Sequence, residues 1–505
     1  MSRDYSNFDM SQWRPRDKHS NRQQALQWSR LDTQQARTEH ERQYGTRMTM
    51  LHELKYFDPI RCTIIDPMHN LFSGTASRMM HHWIKERFIT KQELEKMEKQ
   101  LESFSIPPGY TVAKGHIKSG FAGMTSDEWR SWTMVYSVPL LIGKLHTDDL
   151  TNWVHFVRAV RLLCQPSISP QDIDEAHGFL LKFCTGCVDL YGASFITPNM
   201  HLHCHLGEVV RDFGPVYGFW LFSFERYNGI LKNIDTNSKD RFELTFMKQF
   251  LRDSMGTCLT DEMFQGGDGT FAYKIARLLV SPSPRPDNNG HHFDVIRYER
   301  YASLENRPAG DLHIAFGNEP LPPSSFPLAT GDLVFMDRGH YEFLYQYYCN
   351  TYRNWFRPVR VGSGGPRTMY RVNDRIKKIT KIDILGQTFL SLASRQTRLG
   401  CAITITITPP NGERILAPAR ALYYFVHHFN GEDYYFALVE WYEQSRHLFL
   451  TYQIYDCSAC RASFPPLSSH SIVPIQRIHG VVSLAPAVDD HLLARYLPRK
   501  IKNAY

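Results

Sequence analysis

No stretch of the chain approaches the roughly 18 uninterrupted apolar residues of a membrane-spanning helix, and the opening Met1–His19 segment is polar where a secretory signal is apolar. Both absences point to a protein that stays inside the cell. Cysteine is sparse and irregularly spaced, ten residues among 505, which fits free thiols in a reducing compartment rather than a disulfide framework. The lack of an internal repeat or low-complexity tract excludes a repeat array. Strong charge of either sign is also missing: 58 Lys and Arg against 51 Asp and Glu leave +7, which permits a polyanionic partner without demanding one. What is present, 42% hydrophobic residues in a chain of this length, suffices for two or three globular domains.

Apolar anchors are few in residues 1–55, so this polar lead is expected to be partly disordered, with a polar helix over Gln34–Tyr44. The β-branched run Cys62–Ile65 reads as a short buried strand that stops at Pro67, with Asp66 at its C-terminal end. From about 90 to 192 the pattern is helical. Thr90-Lys91-Gln92-Glu93 and Thr125-Ser126-Asp127-Glu128 are capping boxes, and Pro170 and Gly192 suit the two ends of one helix. One apolar stripe is Trp153, Val157, Val160 and Cys164; another is Ile173, Ala176, Leu180, Phe183, Cys187 and Leu190. Pro215–Asn228 is apolar nearly all round and reads as a buried helix. A linker is expected over 276–335, rich in Pro, Gly, Asn and Ser. Strand patterns follow at Ile379–Leu385, Ala402–Thr408, Leu422–His427, Tyr434–Trp441, Phe449–Tyr455 and Ile472–Ile478, with turns at Pro409–Gly412 and Asn430-Gly431. They predict a small β-barrel or sandwich over 336–482 and then a basic tail over 483–505.

Two segments place one acid each in strongly apolar sequence: Arg61-Cys62-Thr63-Ile64-Ile65-Asp66-Pro67-Met68-His69-Asn70-Leu71 and Phe219-Trp220-Leu221-Phe222-Ser223-Phe224-Glu225-Arg226-Tyr227-Asn228-Gly229. A carboxylate among Ile, Phe and Trp is costly to bury unless it is paired, protonated or bound to a metal. Together with Pro198-Asn199-Met200-His201-Leu202-His203-Cys204-His205-Leu206, these islands resemble the transposases of CACTA (En/Spm) DNA transposons of animal and fungal genomes. Further matching islands, in order, are Asp4–Asp9, Trp13–Arg16, Tyr56–Pro59, Ser119–Gly123 and Phe213–Val216, so the resemblance runs through most of residues 1–250.

The resemblance implies an α/β domain over 56–275, a partial ribonuclease H-like catalytic core with a large helical insertion at about 90–192, followed by the all-β domain. It implies cutting and joining of DNA by two divalent metals, Mg²⁺ or Mn²⁺, held by carboxylates. Glu225 is similar to the last acid of the triad, and Asp66 and His69 look like the Asp-x-x-His signature that several transposase superfamilies carry between the second and third catalytic acids; Glu225 and Asp66 are the expected metal ligands. Family members carry two earlier catalytic aspartates and a cysteine-rich segment ahead of the matching region. Asp4, Asp9 and Asp17 lack the apolar strand such an acid needs, and even with Asp66 as the second acid one would be missing. This polypeptide alone is therefore expected not to cleave DNA. The implied partners are DNA, including terminal inverted repeats; the implied location is the nucleus, and a homo-oligomer is left open. Separately, Tyr423–His428 and Tyr434–Tyr442 distantly resemble bromo-adjacent-homology and other small reader barrels, which gives the alternative: a non-catalytic DNA- or chromatin-binding protein co-opted from a transposase, with chromatin met through the β-rich domain.

Each site residue also has an ordinary structural reading. Asp66 caps a turn with His69 bonding locally, or Glu225 pairs with Arg211 or Lys232. His201 and His205, four apart, share a helix face that can hold a transition metal, but no third ligand is evident. They stand as accessory residues near the acids or DNA phosphate. Cys184 with Cys187, and Cys457 with Cys460, are expected as free thiols. The aromatics of Tyr423–His428 and Tyr434–Tyr442 form either a reader cage or core. Arg14–His19, Arg375–Ile379 and Arg499–Lys502 are candidate phosphate-tracking clusters, the last also a nuclear import signal.

Overall fold

The computed structural model describes residues 5–13, 15–108, 110–111, 115–234, 242–252, 333–352, 357–358, 371–384, 387–394, 400–407, 415–443, 445, 457–487 and 490–498. The expected 276–335 linker, the Pro409–Gly412 turn, the Phe449–Tyr455 strand and the Arg499–Lys502 cluster lie wholly or mostly outside them. Among the described residues the chain is mixed: helices up to residue 252, then a largely antiparallel sheet from Leu333 with one further helix of about four turns packed on it. Residues 1–220 and 299–503 form one compact unit, and 221–298 with 504–505 a second. No helix among the described residues is long and apolar enough to cross a membrane.

The polar lead carries α1 (Lys18–Ser29) and α2 (Gln34–Tyr44), the second with the bounds of the polar helix expected there. Polar contacts replace the missing apolar anchors. The Arg22 guanidinium donates to the carbonyls of His52, Leu54 and Phe57, and Trp28 Nε1 donates to Glu41 at 2.9 Å. Asp9 and Asp17, without a strand around them, are helix caps. Hydrogen bonds from Ser20 above all hold the Asp17 carboxyl below its ordinary range.

The helical block follows its local signals. Capping boxes at Thr90/Glu93 and Thr125/Glu128 start α4 (Lys91–Leu101) and α5 (Ser126–Ser131). Ahead of them, α3 (Ser77–Lys85) continues a π-helical turn from Met68–Ala76. After the short α6 (Ser137–Leu141), α7 (Thr147–Leu163) and α8 (Pro170–Tyr191) pack as an antiparallel pair, with Pro170 in the first turn of α8 and Gly192 at its end. Both apolar stripes are buried except Leu190, which is exposed at the last turn. Trp83, Trp132 and Trp153 are fully buried; Trp83 meets Trp153 edge to face at 5.6 Å, and Trp153 stacks on Phe156 at 4.9 Å.

In the sheet region the central element is the long strand β8 (Ile415–Phe429). One of its edges pairs with β9 (Glu432–Trp441). The other pairs with β7 (Ala402–Ile407) over its first half and β4 (Arg375–Ile379) over its second. Beyond β4 lies β1 (Leu333–Phe335), and beyond β7 lie β12 (Ile478–Pro486), β13 (His491–Leu497) and β10 (Ser458–Arg461). β11 (Ile472–Pro474) pairs with β9, and outside this sheet β2 (Arg357–Pro358) pairs with β3 (Arg371–Val372) and β5 (Lys381–Ile384) with β6 (Gln387–Leu390). Asn430 and Gly431, with φ of 52° and 83°, close the β8–β9 hairpin as a type I′ turn, which needs positive φ at both central residues. The sheet runs past 482, since β13 occupies what was expected as tail: Leu493 and Leu497 alternate into the core.

A helix not foreseen in the sequence, α12 (Arg338–Tyr352), packs on this sheet through Tyr341, Leu344, Tyr347 and Tyr348 against Tyr423, Phe425, Phe429, Tyr434 and Phe436. The cage aromatics are therefore mostly core. In that core Tyr348 Oη donates to His427 Nδ1 at 2.8 Å, while His427 Nε2–H donates to the Asn373 carbonyl at 3.1 Å. Burial pushes His427 down to about 4. Between the unfolded value of about 6.5 and that folded value, only the unfolded chain takes up the proton, so stability falls as pH is lowered through this window. Urea unfolding of His427→Gln should show a shallower loss between about pH 6.5 and 4, by up to about 1.4 kcal/mol per pH unit. A pH slope equal to that of the unsubstituted protein would rule out His427 as a contributor.

Candidate functional site

Asp58 sets the local path. Its carboxylate accepts the N–H groups of Ile60 at 2.9 Å and Arg61 at 3.2 Å, and its carbonyl accepts Cys62 N–H at 2.8 Å. The chain coils here instead of extending. Cys62, Thr63 and Ile64 are exposed and form no strand, which corrects the buried strand expected at Cys62–Ile65. The cause is that the turn engages the backbone of Cys62 and no strand lies alongside among the described residues.

Asp66 consequently begins a helix rather than ending a strand. Its carboxylate accepts from Met68 N–H at 3.1 Å and His69 N–H at 3.0 Å, and its Oδ2 lies 2.5 Å from His69 Nδ1. Pro67 occupies the first helical position, where its missing N–H has no consequence. The structural alternative for both residues, a cap with a local histidine contact, is thus realised, with the His69 ring left half in solvent. Both Asp66 oxygens are engaged by this cap, whereas a two-metal site needs open carboxylate oxygens from several acids. Among the described residues no three of His, Cys, Asp and Glu gather as a metal-holding group. These residues by themselves do not fit a Mg²⁺ or Mn²⁺ pair.

The same helix is locked to the segment that carries the histidines. Asn70, buried at 3% exposure, donates through Nδ2 to Asn199 O at 2.9 Å and Oδ1 at 2.7 Å; Asn199 Nδ2 donates back to Asn70 O at 2.8 Å and to Thr75 Oγ1 at 3.3 Å. Thr75 Oγ1 also lies 3.0 Å from Nε2 of the fully buried His203, whose Nδ1 is 3.6 Å from Cys184 Sγ. Burial pushes His203 down to about 3, so the ring is neutral. Gly74 is required by this approach: a Cβ there would lie 2.4 Å from Asn199 Nδ2 and 2.5 Å from His69 O. Two of the sequence islands therefore meet in space. The π-helical winding of Met68–Ala76 is itself a rare form that concentrates at functional sites.

His201 and His205 lie on α9 (Pro198–Leu202) and the 3₁₀ turn His203–His205 that leads into α10 (Leu206–Phe213). Their rings flank Trp13, at 4.5 and 5.5 Å, with Tyr5 5.7 Å from His201. Burial and the neighbouring His205 and Arg16 lower His201, which favours the neutral ring. The pair packs the N-terminal segment, a role with no sequence signal beyond Trp13 itself. Arg61 anchors the opposite side of the Asp58 turn to Asp212 of α10.

Glu225 lies on α11 (Phe222–Lys232), in the second unit. The single buried helix expected over Pro215–Asn228 is corrected. A 3₁₀ turn at Val216–Gly218 is followed by α11, which has no buried residue, and Glu225 is exposed. The break falls where Trp220 turns inward beside Tyr217, ring centres 4.3 Å apart. No disulfide links the nine described cysteines, Cys184, Cys187, Cys457 and Cys460 among them. Sequence reasoning passed over Asn70, Thr75 and Asn199. The available signal was polar residues inside apolar helical sequence.

No protein-family model matches the chain, and neither a curated protein nor a solved structure matches it. The asparagine lock makes its own prediction. Gly74→Ala forces Asn199 aside and leaves buried amide groups without partners, so urea unfolding should show a loss of about 1–3 kcal/mol, and Asn199→Ala a loss of similar size. A neutral Gly74→Ala would show that the contact yields freely.

Proposed function

We propose that the chain is a DNA-binding protein of the CACTA transposase type, its helical block being the insertion and C-terminal helices of a ribonuclease H-like core. The observation that carries this reading is the meeting of two family-like islands: Asp66–His69 and Pro198–His205 lie 129 residues apart in sequence and are joined by the reciprocal Asn70–Asn199 amides. Cutting and joining of DNA on Mg²⁺ or Mn²⁺ belongs to the proposal only with further acids beside Asp66 and Glu225. The Asp66 carboxylate is engaged as a cap, so it would have to be released to ligate a metal. In this reading the polypeptide alone binds DNA without cleaving it, and works in the nucleus.

Charge supports a phosphate partner most at β4. Arg375, Lys377 and Lys378 are exposed there, with Arg375 over the Phe335 ring at 5.3 Å and Lys378 over Tyr423 at 4.2 Å. The N-terminal cluster is less available: Arg16 donates to Tyr44 O, and Lys18 to Lys55 O at 2.8 Å. The chromatin-reader alternative has less support, because the strand aromatics that would form a cage pack into the core.

Titration of duplex DNA against salt tests the reading. The affinity should fall steeply as salt rises, and alanine at Arg375, Lys377 and Lys378 together should reduce the log–log slope by up to about 2.7, at about 0.9 per phosphate contact. No duplex binding at about 50 mM salt would refute it. A second assay follows strand transfer with Mg²⁺ or Mn²⁺: none is expected from this polypeptide, and robust transfer abolished by Glu225→Ala would show a complete catalytic site instead.

A further inference from the structure

Arg495 of β13 is fully buried, at 0% exposure, and none of its guanidinium nitrogens has a hydrogen-bond partner. Guanidinium stays protonated in proteins, and burying a charge without a partner costs several kcal/mol. Among the described residues the neighbouring strands supply no counter-charge. Ser483 of β12 is directly opposite Arg495, and one step beyond the Ser458–Ala494 pair the register puts Cys457 on its other side. Along the strand the same face continues with Leu493 and Leu497. Cys457 is not a thiolate: burial pushes its thiol up even though Arg495, Arg161 and Arg158 act in the opposite sense.

The helix that faces this strand adds positive charge. Arg161 of α7 donates to the Tyr496 carbonyl beside Arg495, and α7 carries no acid after Asp149. Burial pushes Arg161 down to about 9, with Arg495 the next cause, and Arg158 contributes to lowering both. Nearby, Tyr110 Oη donates to Pro498 O at 3.2 Å. Donors and positive charge converge on one buried point.

We propose that Arg495, with Arg161 beside it, forms a buried site for a tetrahedral oxyanion of the phosphate class, enclosed between α7 and β13. Guanidinium forks match phosphate oxygens in pairs, and Arg161, which already donates to the Tyr496 carbonyl, adds positive charge that favours a multiply charged anion over a monovalent one. The anion binds as the helical and sheet parts come together and stabilises their junction. This inference is independent of any reading of the chain as a DNA-binding protein.

The test uses the full chain prepared without phosphate, with its thermal midpoint measured in phosphate and in chloride at equal ionic strength. Inorganic phosphate should raise the midpoint saturably by about 2–4 °C or more, and equilibrium dialysis with labelled phosphate should find one retained equivalent. Pyrophosphate and inositol hexakisphosphate form the second arm; a rise with these alone assigns the oxyanion to a phosphorylated small molecule, within the same proposal. Arg495→Met removes the charge but keeps an apolar filling, and should abolish both the rise and the retention. General salting effects would persist in that variant. If Arg495→Met does not fold, Arg495→Lys decides: it loses the fork, and its phosphate response should need higher concentrations. No response to any of the three anions, or an unchanged response in the Arg495 variant, overturns the proposal.

Discussion

The exchange of amides between Asn70 and Asn199 is the constraint on which the candidate site depends. Each side chain donates to the other residue's backbone carbonyl, so neither helix can slide without leaving a buried polar group unsatisfied, at about 1–3 kcal/mol apiece. With the register fixed, Thr75 and Asn199 are positioned together and His203 closes the interior. The exposed features then hang from a rigid centre: the Asp66–His69 cap at the start of the π-helical turn, and the His201–Trp13–His205 stack on the next segment. Gly74 is the concession in side-chain volume that lets the two helices approach.

Local physics was legible in the sequence and distant pairing was not. Capping boxes at Thr90 and Thr125, the Ser169/Pro170 start and the stripes on α7 and α8 are set by neighbours within one or two turns. The Asn430-Gly431 hairpin and most of its flanking strands were readable for the same reason. Cys62–Ile65 misled because a run of four residues, three of them apolar, has no period that separates a buried strand from an exposed coil. Helix α12 was hidden by its tyrosines, which are weak helix formers and common in strands; the sheet surface it covers supplies what propensity does not. Of the site, the Asp66–His69 contact followed from spacing, while the Asn70 partner 129 residues away left no local trace.

The two acids singled out in the sequence have different surroundings. Asp66 sits in the first compact unit with its oxygens engaged by backbone amides, and Glu225 sits on an exposed helix of the second. Apolar neighbours in sequence did not bury Glu225, whereas the Asp66 side chain is largely enclosed by its own cap. In both cases the hydrophobic run is used elsewhere: Met68, Leu71 and Phe72 turn into the core behind Asp66, and Trp220 does so ahead of Glu225.

The helical and sheet parts of the first unit are stitched by contacts of great sequence separation. Ser105 and Leu484 exchange backbone hydrogen bonds at 2.9 and 3.1 Å, and Tyr110 reaches Pro498, 388 residues further on. On a ribosome adding about 5–20 residues per second, the helical block therefore waits roughly 20–80 s for the strand that covers it. During that interval the face that β12 and β13 later occupy is open to water and to other chains. The order in which the polypeptide is made thus leaves that face uncovered until the C-terminal strands emerge.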